Sequence, residues 1–289
     1  MNKLFVGTGV ALVTPFLSDK KIDYNSLKRI IKFVDLPQIN YLTILGTTGE
    51  SATLSWSEKI EILKFMIKNS SGKPILLGLG GNDTARLLKE INLINKYDIN
   101  GILSVTPYYN RPSQAGLISH YRQIADASDH PIILYNVPSR TGVNLESKST
   151  LILSEHSNIM GIKEASGNIK QCERILNSRP KDFLLISGND ADTLATLKIG
   201  GNGSISVLAN YKPKAFGNMV QSYLDDNCDE ALKIEKELNS YFELMNLEGN
   251  PTSIKTALKT IGLCRKTVRS PLTEGSIDLE NKFIKKGLA

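Results

Sequence analysis

Eight short apolar runs alternate along this chain with segments of helical periodicity, and that alternation leaves few architectures open. The runs are GTGVALVTPF from Gly7, YLTILGTTGE from Tyr41, KPILLGLGG from Lys73, GILSVTPYY from Gly101, PIILYNVPS from Pro131, IMGIKEASG from Ile159, FLLISGND from Phe183 and GSISVLAN from Gly203. The first is apolar, short and closed by Thr-Pro, as befits a strand covered on both faces. Between the runs lie NSLKRIIKFVDL, SEKIEILKFMIKN, TARLLKEINLINKY, QAGLISHYRQIADA, SKSTLILSE, IKQCERILNS and ADTLATLKIG. Strand starts recur at roughly 20 to 35 residues, the length of a right-handed βαβ crossover. Eight such units with no dinucleotide fingerprint favour a closed (β/α)8 TIM barrel over an open doubly wound sheet. The barrel is expected over residues 1–224. After an eighth helix, PKAFGNMVQSYL, the strand pattern stops, and DEALKIEKELNSYFELMN and SIKTALKTIG mark a small C-terminal helical region, 225–289, packed on the barrel.

The composition excludes several classes of function. Of 289 residues, 41% are hydrophobic and 22% charged, ordinary for a soluble protein. No run approaches the 18 or so apolar residues of a membrane span, and the first residues lack a long apolar core with a cleavage site, so a cytoplasmic location is expected. Net charge is +6, yet the basic residues are spread over helical segments without interleaved aromatics, which argues against nucleic acid as a partner. Cys172, Cys228 and Cys264 are odd in number and far apart, so they read as three buried thiols rather than a disulfide framework or zinc site.

Chemistry in such barrels sits where strands end and βα loops begin. There the polar groups collect: GTTGES after the second strand, TPYYNRP after the fourth, YNVPSRTG after the fifth, KEASG in the sixth and SGND in the seventh. HExxH, a Cys/His cluster and paired strand-end carboxylates are missing, which speaks against metal-assisted hydrolysis and glycosidase chemistry. GLGGND, from Gly78, fits neither GxGxxG nor GxxxxGK[ST]. It reads as a tight turn with Asn82 or Asp83 capping the next helix.

Lys163 is the informative residue, because IMGI places it at the end of a buried strand. A lysine with its reference pKa of about 10.4 is neutral in only about one molecule in 2,500 at pH 7. Burial disfavours the ammonium, and a pKa of about 7–8 makes the amine an effective nucleophile near neutrality. Such an amine attacks a ketone or aldehyde to give a carbinolamine and then an iminium ion, whose charge acidifies the adjacent C–H and yields an enamine. That chemistry needs hydroxyls to shuttle protons and donors for a substrate carboxylate. Tyr109 and Tyr135 stand at expected strand ends.

At this point the motifs resemble the dihydrodipicolinate synthase / N-acetylneuraminate lyase family of Schiff-base barrels. GTTGES, TPYYNRPSQ, YNVPSRTG, IKEASG, SGNDA and GSISVLAN occur in that family's order, and the likeness runs over essentially the whole chain, including Asn250-Pro251. The resemblance implies condensation of pyruvate with L-aspartate 4-semialdehyde, with Lys163 forming the Schiff base. It implies a proton relay of Thr47, Tyr109 and Tyr135. Thr48 with Thr47 is to hold the pyruvate carboxylate, Arg140 to grip the semialdehyde carboxylate, and Gly188 and Ile205 to line the pocket through backbone atoms. In the family the tyrosine matching Tyr109 reaches into a neighbouring subunit, and the usual assembly is a homotetramer of two tight dimers, with a dimer as the alternative here. No pyridoxal phosphate, nicotinamide or metal cofactor is implied.

One departure concerns regulation. Many family members bind lysine at an interface site with an acidic residue and histidines, where this chain has Arg86, Trp56 and Lys59, although Ser51, Asn82 and Tyr108 agree. Two cations facing a lysine ammonium imply little or no lysine feedback. Two rival readings remain open at this stage: an N-acetylneuraminate or 2-keto-3-deoxy sugar acid lyase, from which Arg140 is the discriminating residue, and a non-catalytic barrel that binds a keto acid.

Overall fold

The computed structural model describes residues 4–287. Its eight strands close into a parallel barrel in chain order: β1 (Gly7–Ala11), β2 (Tyr41–Ile44), β3 (Ile75–Gly78), β4 (Gly101–Val105), β5 (Ile132–Asn136), β6 (Ile159–Glu164), β7 (Leu184–Ser187) and β8 (Gly203–Ser206). Each expected apolar run holds one strand. Nearly every strand residue is buried, as strands require when one face fills a barrel and the other lies under helices. No helix among the described residues is long and apolar enough to cross a membrane.

Contacts group the chain into two compact units. The first comprises residues 4–7 with Pro74–Ile205, and the second Thr8–Lys73 with residues 206–287. In the first, Ile102, Ile132, Ile133, Leu134, Ile162, Leu185 and Ile186 are fully buried, each such side chain contributing about 1.5–3 kcal/mol of apolar burial. The helix Thr84–Ile94 begins after the glycine-rich turn, and the Asp83 side chain accepts from the Arg86 N–H at 3.2 Å. Asp83 therefore caps the helix as expected.

In the second unit the helix Tyr24–Val34 buries Leu27, Ile30, Ile31 and Val34, the i, i+3, i+4, i+7 stripe of an amphipathic helix. Ser55 and Glu58 form a reciprocal capping box ahead of Trp56–Asn69. The helix Cys228–Leu247 packs on Pro213–Leu224, with Phe216 and Phe242 edge to face at 6.5 Å between centroids. Two findings correct the sequence reading. Cys228 is exposed, because it is the first residue after the N-cap Asn227. A further helix, Ile277–Gly287, follows the two expected ones; it buries only Leu279 and Phe283, too thin a stripe to stand out in sequence.

Candidate active site

The phase of β6 decides which way its lysine points. Ile132 pairs with Ile159, but Ile133 pairs with Gly161, so the register shifts by one residue and Met160 has no opposite number. Beyond this shift Gly161 and Lys163 share one face, and Ile162 and Glu164 share the other. Gly161 is needed there because a Cβ would lie 2.7 Å from both Cβ and O of Leu184. Paired residues of parallel strands point the same way, so Val105, Tyr135, Lys163 and Ile186 form one row across β4 to β7. Lys163 is 6% exposed and Tyr135 8%. The ammonium nitrogen sits 4.4 Å from the Tyr135 ring centroid. Among the described residues it has no hydrogen-bond or ion-pair partner.

Gly188, just beyond β7, completes the immediate surroundings. Its N–H donates to the Glu164 carbonyl at 2.8 Å, and a Cβ built on it would lie 3.1 Å from Cε of Lys163. A glycine at this position leaves the lysine its room. Ile205, on β8, is fully buried. Arg140 is exposed on the single turn Pro138–Thr141, directly after β5. Lys163, Tyr135 and Gly188 are thus in direct proximity, with Arg140 on the loop that continues the Tyr135 strand.

Tyr109 does not join them within this chain. Its side chain is 89% exposed, its backbone is left-handed at φ 73°, and its N–H donates to the Thr141 carbonyl at 3.4 Å. A bulky residue in that region of backbone space is held by its surroundings rather than by preference.

Thr47 and Thr48 lie in the turn after β2, in the other unit. Thr48 is buried and its hydroxyl oxygen accepts from Nδ2 of Asn250 at 3.0 Å; Thr47 is half-buried. The turn is framed by Leu45 and Glu50, both left-handed, at φ 55° and 52°. Non-glycine residues there cost about 1–2 kcal/mol each. Glu50 is held by the Lys255 ammonium, which is fully buried, and by the Arg269 N–H at 2.9 Å. Lys255 also donates to the Thr267 carbonyl at 2.9 Å and lies 4.0 Å from the Phe16 ring centroid. Burial lowers its pKa from the ordinary lysine value more than Glu50 raises it. The Arg269 guanidinium clasps Glu58 and holds its carboxyl down at about 2.

Sequence reasoning passed over Lys255, which looks like a solvent-facing lysine in TSIKTALKT, and over Glu164, the residue after the lysine. Cys172 lies behind β6, its thiol pushed up to about 12 by burial and then by Glu164, so it is inert as a nucleophile.

The set is a buried amine on β6 with no ion-pair partner among the described residues, an aromatic ring beside it on β5 and a guanidinium on the loop after β5. Residues 4–286 match the model of the Dihydrodipicolinate synthetase family. The 4-hydroxy-tetrahydrodipicolinate synthase of Flavobacterium psychrophilum is 42% identical over 281 residues, 96% of each chain. Among solved structures, dihydrodipicolinate synthase from Aquifex aeolicus superposes with a TM-score of 0.93 at 36% identity, covering 97% of this chain and 96% of that one. The chloride-inhibited enzyme from Acinetobacter baumannii, complexed with pyruvate, gives 0.94 at 33% identity, covering 97% of both chains. With the fold, the motifs and near-complete coverage in agreement, the chain belongs to the dihydrodipicolinate synthetase family.

Proposed function

We propose that this chain is a Schiff-base lyase that condenses pyruvate with L-aspartate 4-semialdehyde, the 4-hydroxy-tetrahydrodipicolinate synthase reaction of the route to diaminopimelate and lysine. The observation that carries the reading is Lys163: buried at the end of β6, over the Tyr135 ring, and with no carboxylate among the described residues to hold it in an ion pair. Its Nζ attacks C2 of pyruvate, and loss of water gives the iminium ion. The iminium charge lets C3 lose a proton, and the resulting enamine carbon attacks the aldehyde of the semialdehyde. The semialdehyde's amine then adds to C2 and displaces Lys163, which returns as a free amine while the ring closes.

The Tyr135 hydroxyl is suited to pass the protons of carbinolamine formation and breakdown, because its strand partner is Lys163 itself. Arg140 presents a planar fork to the semialdehyde carboxylate, a geometry an ammonium lacks. A sugar-acid lyase has less use for that guanidinium. The roles of Thr47 and Thr48, and the backbone roles of Gly188 and Ile205, rest on the family's motifs. The exposed Tyr109 ring supports the reading that it completes the relay of a neighbouring subunit in a homotetramer.

Borohydride reduction in the presence of pyruvate, followed by peptide mass mapping, tests the core of this reading. The expected result is one pyruvyl adduct, on Lys163. An adduct on another lysine, or none, would refute it.

A further inference from the structure

The last two residues of β6 point to opposite faces, and the second is as deeply buried as the first. Glu164 is 5% exposed, beneath the helix Ile169–Ser178. A buried carboxylate ordinarily has a cation beside it. Among the described residues Glu164 has none. Its oxygens instead accept from neutral donors: Nδ2 of Asn136 at 3.1 and 3.0 Å, Nε2 of Gln171 at 2.9 Å and the Ser166 N–H at 2.8 Å.

These donors cannot be turned round without loss elsewhere. Oδ1 of Asn136 accepts the Leu145 N–H at 2.9 Å, and Oε1 of Gln171 accepts from Nδ2 of Asn144 at 2.9 Å. Asn136 Nδ2 also reaches Oδ1 of Asn144 at 2.8 Å. Asn136 ends β5, so through its one side chain both ends of the loop 137–144 are tied together, and that loop carries Arg140. Gln114 fastens the far end, donating to the Asn144 carbonyl at 2.7 Å and accepting the Glu146 N–H at 3.2 Å. Every group converging on Glu164 is a donor with its orientation fixed, so the hub must be acceptor-only. A carboxylate meets that need and a carboxamide does not.

We propose that Glu164 is a positioning residue for the second substrate: as an anion it locks the loop 137–144 and so sets Arg140, while Lys163 on the opposite face of the same strand captures the first. The assignment rests on Arg140 being the residue that grips the semialdehyde carboxylate. In Glu164→Gln an NH2 faces Asn136 Nδ2 or the Ser166 N–H, the loop loosens, and Lys163 keeps its place over Tyr135.

Steady-state kinetics with each substrate varied, together with borohydride trapping, test this. In Glu164→Gln the KM for aspartate semialdehyde is expected to rise about 10- to 100-fold, the range for losing a group that orients a ligand-binding residue. The KM for pyruvate and trapping at Lys163 should stay within about twofold, since they do not pass through Arg140. The double variant Arg140→Ala/Glu164→Gln should be no worse than Arg140→Ala alone, because the two losses are one loss. If Glu164→Gln does not fold, Asn144→Ala, which removes the relay and leaves the carboxylate, should raise the same KM in the same selective way. An unselective loss, an unchanged semialdehyde KM or additivity in the double variant would overturn the assignment. Absence of trapping in the wild type would instead remove the Schiff-base reading and is scored separately.

Discussion

Lys163 and Lys255 are both buried, and the chain treats them in opposite ways. Lys255 has an acidic partner in Glu50, a carbonyl in Thr267 and the face of Phe16, so each direction open to its ammonium is filled. Lys163 has an aromatic face at 4.4 Å and no acidic partner among the described residues. The difference teaches that burial alone does not mark a reactive amine. A lysine enclosed by an ion pair is a cross-link: it ties the helix Thr252–Thr260 to the turn after β2 within its unit. Lys163 is tied to no counter-ion among the described residues, so its Nζ is open to be consumed and regenerated.

Exchanging the two roles by mutation is the strongest way to break this contrast. Lys163→Ala should reduce turnover by on the order of 10⁴-fold or more, because no other group supplies the nucleophile, and should leave the unfolding midpoint close to wild type. Progress of ring formation and urea unfolding on the same preparation measure both. Comparable turnover in Lys163→Ala would sink the assignment. Lys255→Met should do the reverse. It strands a buried carboxylate, which costs about 3–5 kcal/mol, seen as a lower denaturant midpoint at unchanged slope. Adding Glu50→Gln should recover part of that loss, since the stranded charge is then gone. If Lys255→Met is as stable as wild type, Lys255 does not cross-link its helix to the turn after β2.

How much of this was legible beforehand depended on the range of the physics involved. The strands stood out because a barrel strand must be apolar on both faces, and Lys163 stood out because it interrupts one such run at its end. Lys255 did not, since its partner lies 205 residues away and nothing local separates a buried helical lysine from a solvated one. The hub at Glu164 was hidden for the same reason: Asn136 is 28 residues upstream. Register is equally non-local. The shift at Met160, which turns Lys163 to its face, exists only in the pairing of β5 with β6. Tyr109 was expected at a strand end, but β4 stops at Val105, and the 89% exposure of Tyr109 is a property of the folded loop that follows. The third C-terminal helix escaped because two buried residues make too weak a pattern.

The smallest effect expected is also the most local. Gly188 is not in the left-handed region, so alanine meets no backbone penalty there; what it meets is Cβ of Ala165 at 2.6 Å, the Glu164 carbonyl at 3.1 Å and Cε of Lys163 at 3.1 Å. The first contact forces a shift, and the Gly188 N–H bond to that carbonyl limits where the backbone can go. Of the three neighbours only the lysine side chain is flexible, so it should yield, moving its amine off the Tyr135 ring. A displacement of this kind, without loss of any reacting group, should lower kcat/KM about tenfold, or about 1.4 kcal/mol of transition-state stabilisation. Stability should fall by about 1–3 kcal/mol from overpacking. The contrast with Lys255 makes the result diagnostic: a side chain fixed by three partners would resist such pressure and pass it to the backbone. If Gly188→Ala trapped pyruvate at the wild-type rate while losing stability, Lys163 would be held more firmly than its lack of a counter-ion indicates.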